Sequence, residues 1–453
     1  MAEAPCLEDL LACPRCDAAL ATVADGSFQC PACQVNFPRI NDLPFLFAEP
    51  GAAWGEWQAR VNYELRRLET RTRQLDQSLS ADTLRPATQA RLTHVRDACQ
   101  DQCARLKSLL KELLATGQPA AQETYLALRT RLPSDQGLNT YYQNLHRDWC
   151  WGSEENDASW SIVRELLPET PGRVLVLGAG GGRLSYDLHQ SSTANLTVAL
   201  DFNPLLLSAA SRISQGDGLQ LWEFPIAPRT SQDHAVLRQL QADPIRPGLH
   251  YVLGDVLRAP FTAGSFDTVV TPWLIDILPV ELQDLANRIN GLLAPGGQWL
   301  NFGSLAFSHP EEASNYSPEE SQSVITDSGF ECLGYREDQI PYMCSPASRH
   351  GRQEWVASFA ARKMREVATP DRYRALPEWL ISGRDAVPAY ESFQMQAAST
   401  RIFAFVMGMI DGKRSIKDMA KLMQSQRLME QQEAEGVIRD FLIRMYEDSR
   451  RAG

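Results

Sequence analysis

Residues 173–201 read RVLVLGAGGGRLSYDLHQSSTANLTVALD, the most informative stretch of the chain. An apolar run at 174–177 meets Gly178, Ala179, Gly180, Gly181 and Gly182, a helical pattern follows, and a second apolar run at 196–200 ends on Asp201. Strand, glycine turn, helix and acid-ended strand make one unit of a parallel α/β sheet. Glycines let the backbone approach a ligand closely at the carboxyl edge of such a sheet. Asp201 then stands where a carboxylate can accept the hydroxyls of a ribose. On these residues alone, a tight turn without a ligand remains the alternative.

The same pattern continues downstream. Tyr251, Val252, Leu253, Gly254, Asp255 and Val256 form a strand ending in Gly-Asp, which suits an exocyclic purine amine beside an apolar residue. Residues 266–273, FDTVVTPW, form another strand and enter a loop where the glycine turn would present its ligand. Residues 293–300, LAPGGQWL, read as a helix end, a turn and the next strand. The alternation over 138–365 predicts a doubly wound, Rossmann-like α/β domain. A P-loop is excluded, since no GxxxxGK[ST] follows a strand and the GKRS at 412–415 has the wrong spacing.

Composition bounds the function classes. The chain has 453 residues, 44% hydrophobic and 22% charged, which predicts a soluble globular protein with room for two to four domains. A net charge of -12 argues against a broad nucleic-acid-binding face. No apolar run reaches about 18 residues, so no membrane span is expected. The N-terminus lacks the basic flank and apolar core of a secretory signal. Ten cysteines with clustered pairs fit a reducing compartment, and a cytoplasmic location is expected.

Two CxxC pairs, Cys13/Cys16 and Cys30/Cys33, offer four thiolates for a closed tetrahedral shell, the pattern of a structural zinc site. A full shell leaves no open position for a substrate. The flanking LLACPRCDAAL and CPACQVNFPRINDLPFLF, over 7–47, resemble the zinc-ribbon activator subunits that partner RNA and protein methyltransferases. The expected ribbon domain is 1–50. Over 51–137, leucine stripes at 65, 68, 75, 79 and at 92, 106, 109, 113, with Val95 between them and Pro86 as the breaker, predict a helical hairpin. Cys99 and Cys103, four apart on its second helix, read as structural thiols, because no further ligands complete a metal site. Residues 117–119 and 133–137 read as loops.

After residue 365 the sheet pattern stops. Two helices joined through IDGKRS at 410–415, and a third over 434–446, resemble the winged-helix-like peptide chaperones of pyrroloquinoline quinone biosynthesis. For 366–453 that resemblance implies a domain that grips a peptide leader or protein partner. A structural cap or a dimer surface stays open as the alternative. The segment carries no extended basic stripe, so DNA binding is not expected.

LHRDW at 145–149, LGAGGGRLSYDL at 177–188, GD at 254–255, TPWLID at 271–276, LLAPGGQWLNFGSL at 292–305 and SPEESQSVITDSGFE at 317–331 complete the picture. The set resembles class I S-adenosylmethionine-dependent methyltransferases, and its order resembles the carnosine N-methyltransferase family. The resemblance implies S-adenosylmethionine as cofactor, contacted by Asn144, Arg147, Gly178, Gly180, Asp201, Asp255 and Val256. It also implies that Asp276 holds a substrate imidazole, with Trp273 in the same motif facing the substrate and His309, displaced by one residue from the family's histidine, a second catalytic candidate. The family's later tyrosines have no clean match, and Tyr342 nearby is the further substrate candidate. Chemistry supports Asp276 independently, because a nitrogen nucleophile needs its lone pair free and a carboxylate can accept the other N–H or take a proton. A helix N-cap is the alternative for Asp276, and an exposed loop histidine without a role is the alternative for His309. Trp222 and Phe224 either wall the pocket or pack in the core, and 227–249 reads as an inserted connection.

The acceptor is then an imidazole-type or other nitrogen on a small molecule or peptide, with a side chain on a protein or peptide as the alternative. The competing class is a non-catalytic scaffold on a degenerate methyltransferase core, which the intact glycine turn, Asp201 and Gly254-Asp255 disfavour.

Overall fold

The computed structural model describes residues 6–81, 83–115, 125–134 and 136–451. The loop expected at 117–119 lies outside them. The chain forms two compact units, Met1–Pro377 and Glu378–Gly453.

The first unit opens with a small antiparallel ribbon, β1 (Ala21–Thr22), β2 (Phe28–Gln29) and β3 (Asn36–Phe37). A hairpin follows, β4 (Arg39–Ile40) and β5 (Leu43–Leu46). Its turn residues Asn41 and Asp42 take φ of 47° and 65°, a region these short polar side chains tolerate. The remaining strands are β6 (Arg173–Leu177), β7 (Leu196–Asp201), β8 (Leu219–Glu223), β9 (Val236–Leu240), β10 (Leu249–Gly254), β11 (Phe266–Pro272), β12 (Leu293–Gly303), β13 (Phe330–Tyr342) and β14 (Arg352–Lys363). Nine of the fourteen described strands make one sheet in the order β13-β14-β12-β11-β6-β7-β10-β5-β4, while β8 and β9 pair with each other. The pairs from β12 through β5 are parallel, while β13, β14 and β4 are antiparallel to their neighbours.

Helices cover both faces, which is why β6 and β7 read as unbroken apolar runs. Val174, Leu175, Val176 and Leu177 are all buried, as is every residue of β7. Strand order reverses between β6 and β11, so the crevice outside their carboxyl ends is the natural ligand position of such a sheet.

The expected helical hairpin is α1 (Pro50–Leu79) and α2 (Pro86–Leu109), each with proline in its first turn. The pairs Asp76–Arg96 and Glu69–Lys107 run in opposite chain order, as an antiparallel arrangement requires. Trp54, Trp57, Val61, Leu65 and Leu68 share one core with Val95, Cys99, Leu106 and the helix Pro204–Ser214, and Trp57 stacks on Phe202 at 5.8 Å. Cys99 and Cys103 are buried there. Trp222, on β8, donates its indole N–H to Asp101 of the helix pair at 2.7 Å, so it packs against α2.

Three expected segments therefore lie within one compact unit, because β5 is a strand of the main sheet and the helix pair shares its core. The unit ends at Pro377 and not at 365. Beyond 365 the chain is tied back: Arg258 donates to the Tyr373 carbonyl at 2.8 Å, and the Ala375 N–H donates to the Arg129 carbonyl at 2.8 Å.

The second unit consists of helices Glu378–Ser382, Glu391–Gly408, Ile416–Ser425 and Gln431–Arg451. Val406, Met409, Met419, Met423 and Ile438 form its own small core. The IDGKRS motif makes a turn and a cap. Asp411 accepts the N–H groups of Lys413 and Arg414 at 2.9 and 3.0 Å, and Ser415 forms a capping box with Asp418. Among the described residues this unit has no strand, so the wing of a winged helix is missing.

Candidate active site

A cavity of about 440 Å³ opens at the strand-order reversal, within the range of small-ligand sites. The turn after β6 forms its floor. Gly178, Gly180 and Gly182 take φ of 70°, 55° and 84°, which only glycine adopts without strain. A Cβ on Gly180 would meet nothing within 4 Å, so the backbone here faces open space. At Gly181 a Cβ would collide with the Asp148 carboxylate at 2.2 Å. That close approach lets the segment 144–149 lie directly over the turn. The Trp149 indole N–H pins it, donating to the Gly181 carbonyl at 2.7 Å.

Two carboxylates at strand ends flank the turn. Asp201 closes β7, accepting the Gly180 N–H at 2.8 Å on one oxygen and the Asn203 N–H at 2.9 Å on the other. Burial raises its pKa to about 6, against the opposing pull of those N–H donors. Asp255 follows β10 and accepts the Leu257 N–H at 2.8 Å, and burial raises its pKa also. Val256 lines the cavity beside it.

Asn144 and Arg147 line the cavity from the overlying segment, whose residues Arg147–Trp151 form one π-helical turn. Arg147 lies between two acids, with Asp148 at 2.6 Å and Glu155 at 2.8 Å. Burial opposes its charge, but the two carboxylates hold its pKa above the usual arginine range. The other oxygen of Glu155 accepts the Met343 N–H at 2.7 Å, so the overlying segment is joined to the end of β13.

Trp273 lines the cavity at the end of β11. Pro272 cannot donate to the sheet ladder and ends β11, and Trp273 leaves it at a φ of 52°. Left-handed backbone in so bulky a residue costs about 1–3 kcal/mol and concentrates at functional sites. The Trp273 N–H is held by the Phe302 carbonyl at 2.7 Å. Its ring lies 4.9 Å from Tyr342, which also lines the cavity and whose phenol burial pushes up.

The two proposed acid–base residues fall elsewhere. Asp276 follows the lining residues Trp273 and Leu274 but is not itself in the wall. Its Oδ2 accepts the Ser304 hydroxyl and the Ala306 N–H, the latter at 3.0 Å, while its Oδ1 is buried without a hydrogen-bond partner. It does not cap the following helix, Leu282–Leu292, whose N-cap is Glu281. His309 is outside the cavity lining. Its Nδ1 accepts the Glu311 N–H at 3.1 Å, and its Nε2 lies 3.8 Å from Glu281. Hydrogen bonds from Ser314 and Tyr316 hold Glu281 below the usual carboxylate range.

Several residues of the site left no signal in the sequence. Asp148 in the wall and Glu155 behind it act through Arg147, and only the structure shows the three together. Tyr141, Phe202 and Asn203 line the cavity from nearby loops, and Tyr373 and Ala375 cover it from far downstream. Isolated residues in proline-rich chain leave no periodic signal that would have pointed to Tyr373.

The four cysteines converge as a group. Their sulfurs lie within 4.8 Å of one another, with separations of 3.6 Å for Cys13–Cys33, 3.4 Å for Cys16–Cys30 and 3.8 Å for Cys16–Cys33. A tetrahedron with Zn–S bonds of about 2.3 Å has edges of about 3.8 Å, so the donor set fits such an ion.

A doubly wound sheet with an antiparallel end pair, whose crevice joins a glycine turn to carboxylates on the next two strands, is the class I methyltransferase arrangement. The family model for carnosine N-methyltransferase matches residues 136–364, and the chain belongs to the carnosine N-methyltransferase family. It is 26% identical to the carnosine N-methyltransferase of Dictyostelium discoideum over 205 residues, 39% of this chain and 43% of that one. To the carnosine N-methyltransferase of Rattus norvegicus it is 27% identical over 219 residues, 43% and 54% of the two chains. The chain thus spans about half the length of the curated relatives it matches. A SAM-dependent methyltransferase from Methanosarcina mazei is similar at 15% identity and a TM-score of 0.32, over 45% of this chain and 98% of that one. Similarity at that level adds nothing to the assignment. The four cysteines and the second unit lie outside the matched residues.

Proposed function

We propose that the chain is an S-adenosylmethionine-dependent N-methyltransferase acting on an imidazole-type or other nitrogen of a small molecule or peptide. One observation carries the reading: the glycine turn, Asp201 and Asp255 converge on a single cavity that Trp273 and Tyr342 also line. Bound there, S-adenosylmethionine supplies an electrophilic methyl group on its sulfonium.

The chain's own residues suit that ligand. Each Asp201 oxygen accepts one backbone N–H and keeps a further lone pair, so the carboxylate can also accept a ribose diol. Asp255 beside Val256 offers an acceptor and an apolar surface to an adenine. Gly180 leaves room for the amino-acid portion. Arg147, neutralised by Asp148 and Glu155, contributes shape and position to the wall more than free charge.

Methyl transfer is an in-line displacement, so alignment and exclusion of water matter most. Trp273, Phe302 and Tyr342 supply an apolar, aromatic wall for a planar acceptor. Asp276 lies behind the wall residues Leu274 and Ile277 and ties the loop after β11 to the loop after β12. The proposal has its unpartnered Oδ1 accept an imidazole N–H or a released proton when an acceptor draws that loop in. The carnosine N-methyltransferase relatives favour an imidazole-bearing acceptor. In the same proposal, Cys13, Cys16, Cys30 and Cys33 hold a structural zinc ion.

The test is incubation of the purified chain with methyl-labelled S-adenosylmethionine, carnosine and histidine-containing peptides, read by mass spectrometry. Label on a nitrogen of one of these acceptors is the expected result. Absence of label from every nitrogen compound, in a protein that binds the donor, would sink the reading.

A further inference from the structure

Around the four sulfurs, three connections run from the polypeptide to two parts of the cavity wall, the segment 255–257 and Tyr373. The first connection is antiparallel pairing between 10–12 and 260–262. The Ala12 N–H donates to the Pro260 carbonyl and the Thr262 N–H to the Leu10 carbonyl, both at 2.9 Å. Ala12 precedes Cys13, and Pro260 follows shortly after the cavity residues Asp255, Val256 and Leu257. The second is β5, whose Phe45 and Leu46 pair with Leu253 and Gly254. Gly254 immediately precedes Asp255. Arg15, between Cys13 and Cys16, donates to the Ala48 carbonyl at 3.1 Å and pairs with Glu49, fixing the end of that strand. The third is the ion pair of Asp17, at a φ of 65° beside Cys16, with Arg372. Arg372 adjoins Tyr373, part of the cavity cover.

The packing is continuous as well. Cys13, Cys30, Phe28 and Phe37 belong to one buried cluster with Leu46, Val256 and Phe261. A segment so short buries little core of its own, and a closed tetrathiolate site then supplies much of its folding free energy. Without an ion, the residues that hold Asp255 and Tyr373 in place lose their anchor.

We propose that a divalent metal ion of the zinc type at Cys13, Cys16, Cys30 and Cys33 controls donor affinity in the cavity of the same chain, so that ribbon and cavity are thermodynamically linked. The proposal rests on the donor and zinc readings above. Linkage is reciprocal: a metal that tightens donor binding is itself held more tightly when donor is bound.

The experiment uses the full-length chain, with zinc content measured by atomic emission and S-adenosylhomocysteine affinity by calorimetry. Chelation should weaken the affinity by about tenfold or more, zinc should restore it, and bound S-adenosylhomocysteine should slow zinc loss several-fold, about the size of ordinary coupling between sites. A metal-free chain that stays folded and binds with unchanged affinity would overturn the proposal. If chelation unfolds the chain, an Arg15→Ala/Arg372→Ala variant decides. It keeps all four ligands, and at full zinc content it should bind about threefold more weakly, the scale of one half-buried and one exposed ion pair. Unchanged affinity there would contradict the coupling. A chain that never carries zinc would refute the metal reading, and a zinc-loaded chain that never binds S-adenosylhomocysteine the donor reading. Zinc and donor that bind independently would refute the linkage alone.

Discussion

In the proposed reaction, the two halves of the cavity are built from different materials. The donor half is backbone and carboxylate: positive-φ glycines after β6, and acids after β7 and β10 held by main-chain N–H groups. The acceptor half is aromatic side chain at strand ends, Trp273 just after β11 and Tyr342 closing β13, their rings 4.9 Å apart. A rigid backbone frame can deliver one cofactor, while side chains can be exchanged to select what receives the methyl group.

If that division holds, mutations should separate donor affinity from turnover. Asp201→Ala removes the diol acceptor and leaves the Gly180 and Asn203 N–H groups unpaired. Donor affinity, measured by calorimetry, should fall about 100-fold or more, as expected for two hydrogen bonds to a charged group. Asp276→Asn should leave donor affinity within about twofold yet lower kcat by about 10- to 100-fold, the scale of a lost proton acceptor. Near-normal kcat would reduce Asp276 to a loop tie.

A pH series sharpens the same contrast. Because the Asp201 pKa is raised to about 6, donor affinity should be flat above pH 7 and drop as pH falls through 6, toward tenfold per unit. Stability of the donor-free fold should show the opposite slope from this group. The folded state binds its proton more tightly than the unfolded chain, so its contribution declines as pH rises from about 4 to 6. Trp273→Ala should raise the acceptor KM by about tenfold, through loss of aromatic contact worth about 1 kcal/mol or more, with little change in donor affinity. Smallest of all, His309→Ala should change kcat/KM by less than about twofold, since surface substitutions are usually near neutral.

The donor half was legible because its signals are local. Glycine spacing, an acid at a strand end and unbroken apolar runs each occupy a few consecutive residues, and the sheet turns them into one crevice. What could not be read depends on contacts distant in sequence. The run LPFL at 43–46 reads as the tail of a ribbon, and only its pairing with Leu253 and Gly254 makes it a strand of the main sheet. Asp276 could be a cap or a substrate contact from sequence, and its tie to Ser304 crosses from one strand-end loop to another. His309 sits in a loop of suggestive order, but its ring turns to Glu311 and Glu281. IDGKRS was legible as a helix junction, since Asp411, Ser415 and Asp418 cap locally. Whether strands flank that junction is not encoded in those six residues.

Calorimetric titration of S-adenosylmethionine into the wild-type chain and into Asp201→Ala tests the central claim most directly. The account predicts saturable binding at one site per wild-type chain, weakened about 100-fold or more by the substitution. No binding to the folded wild-type chain, or equal affinity in the two proteins, would contradict it.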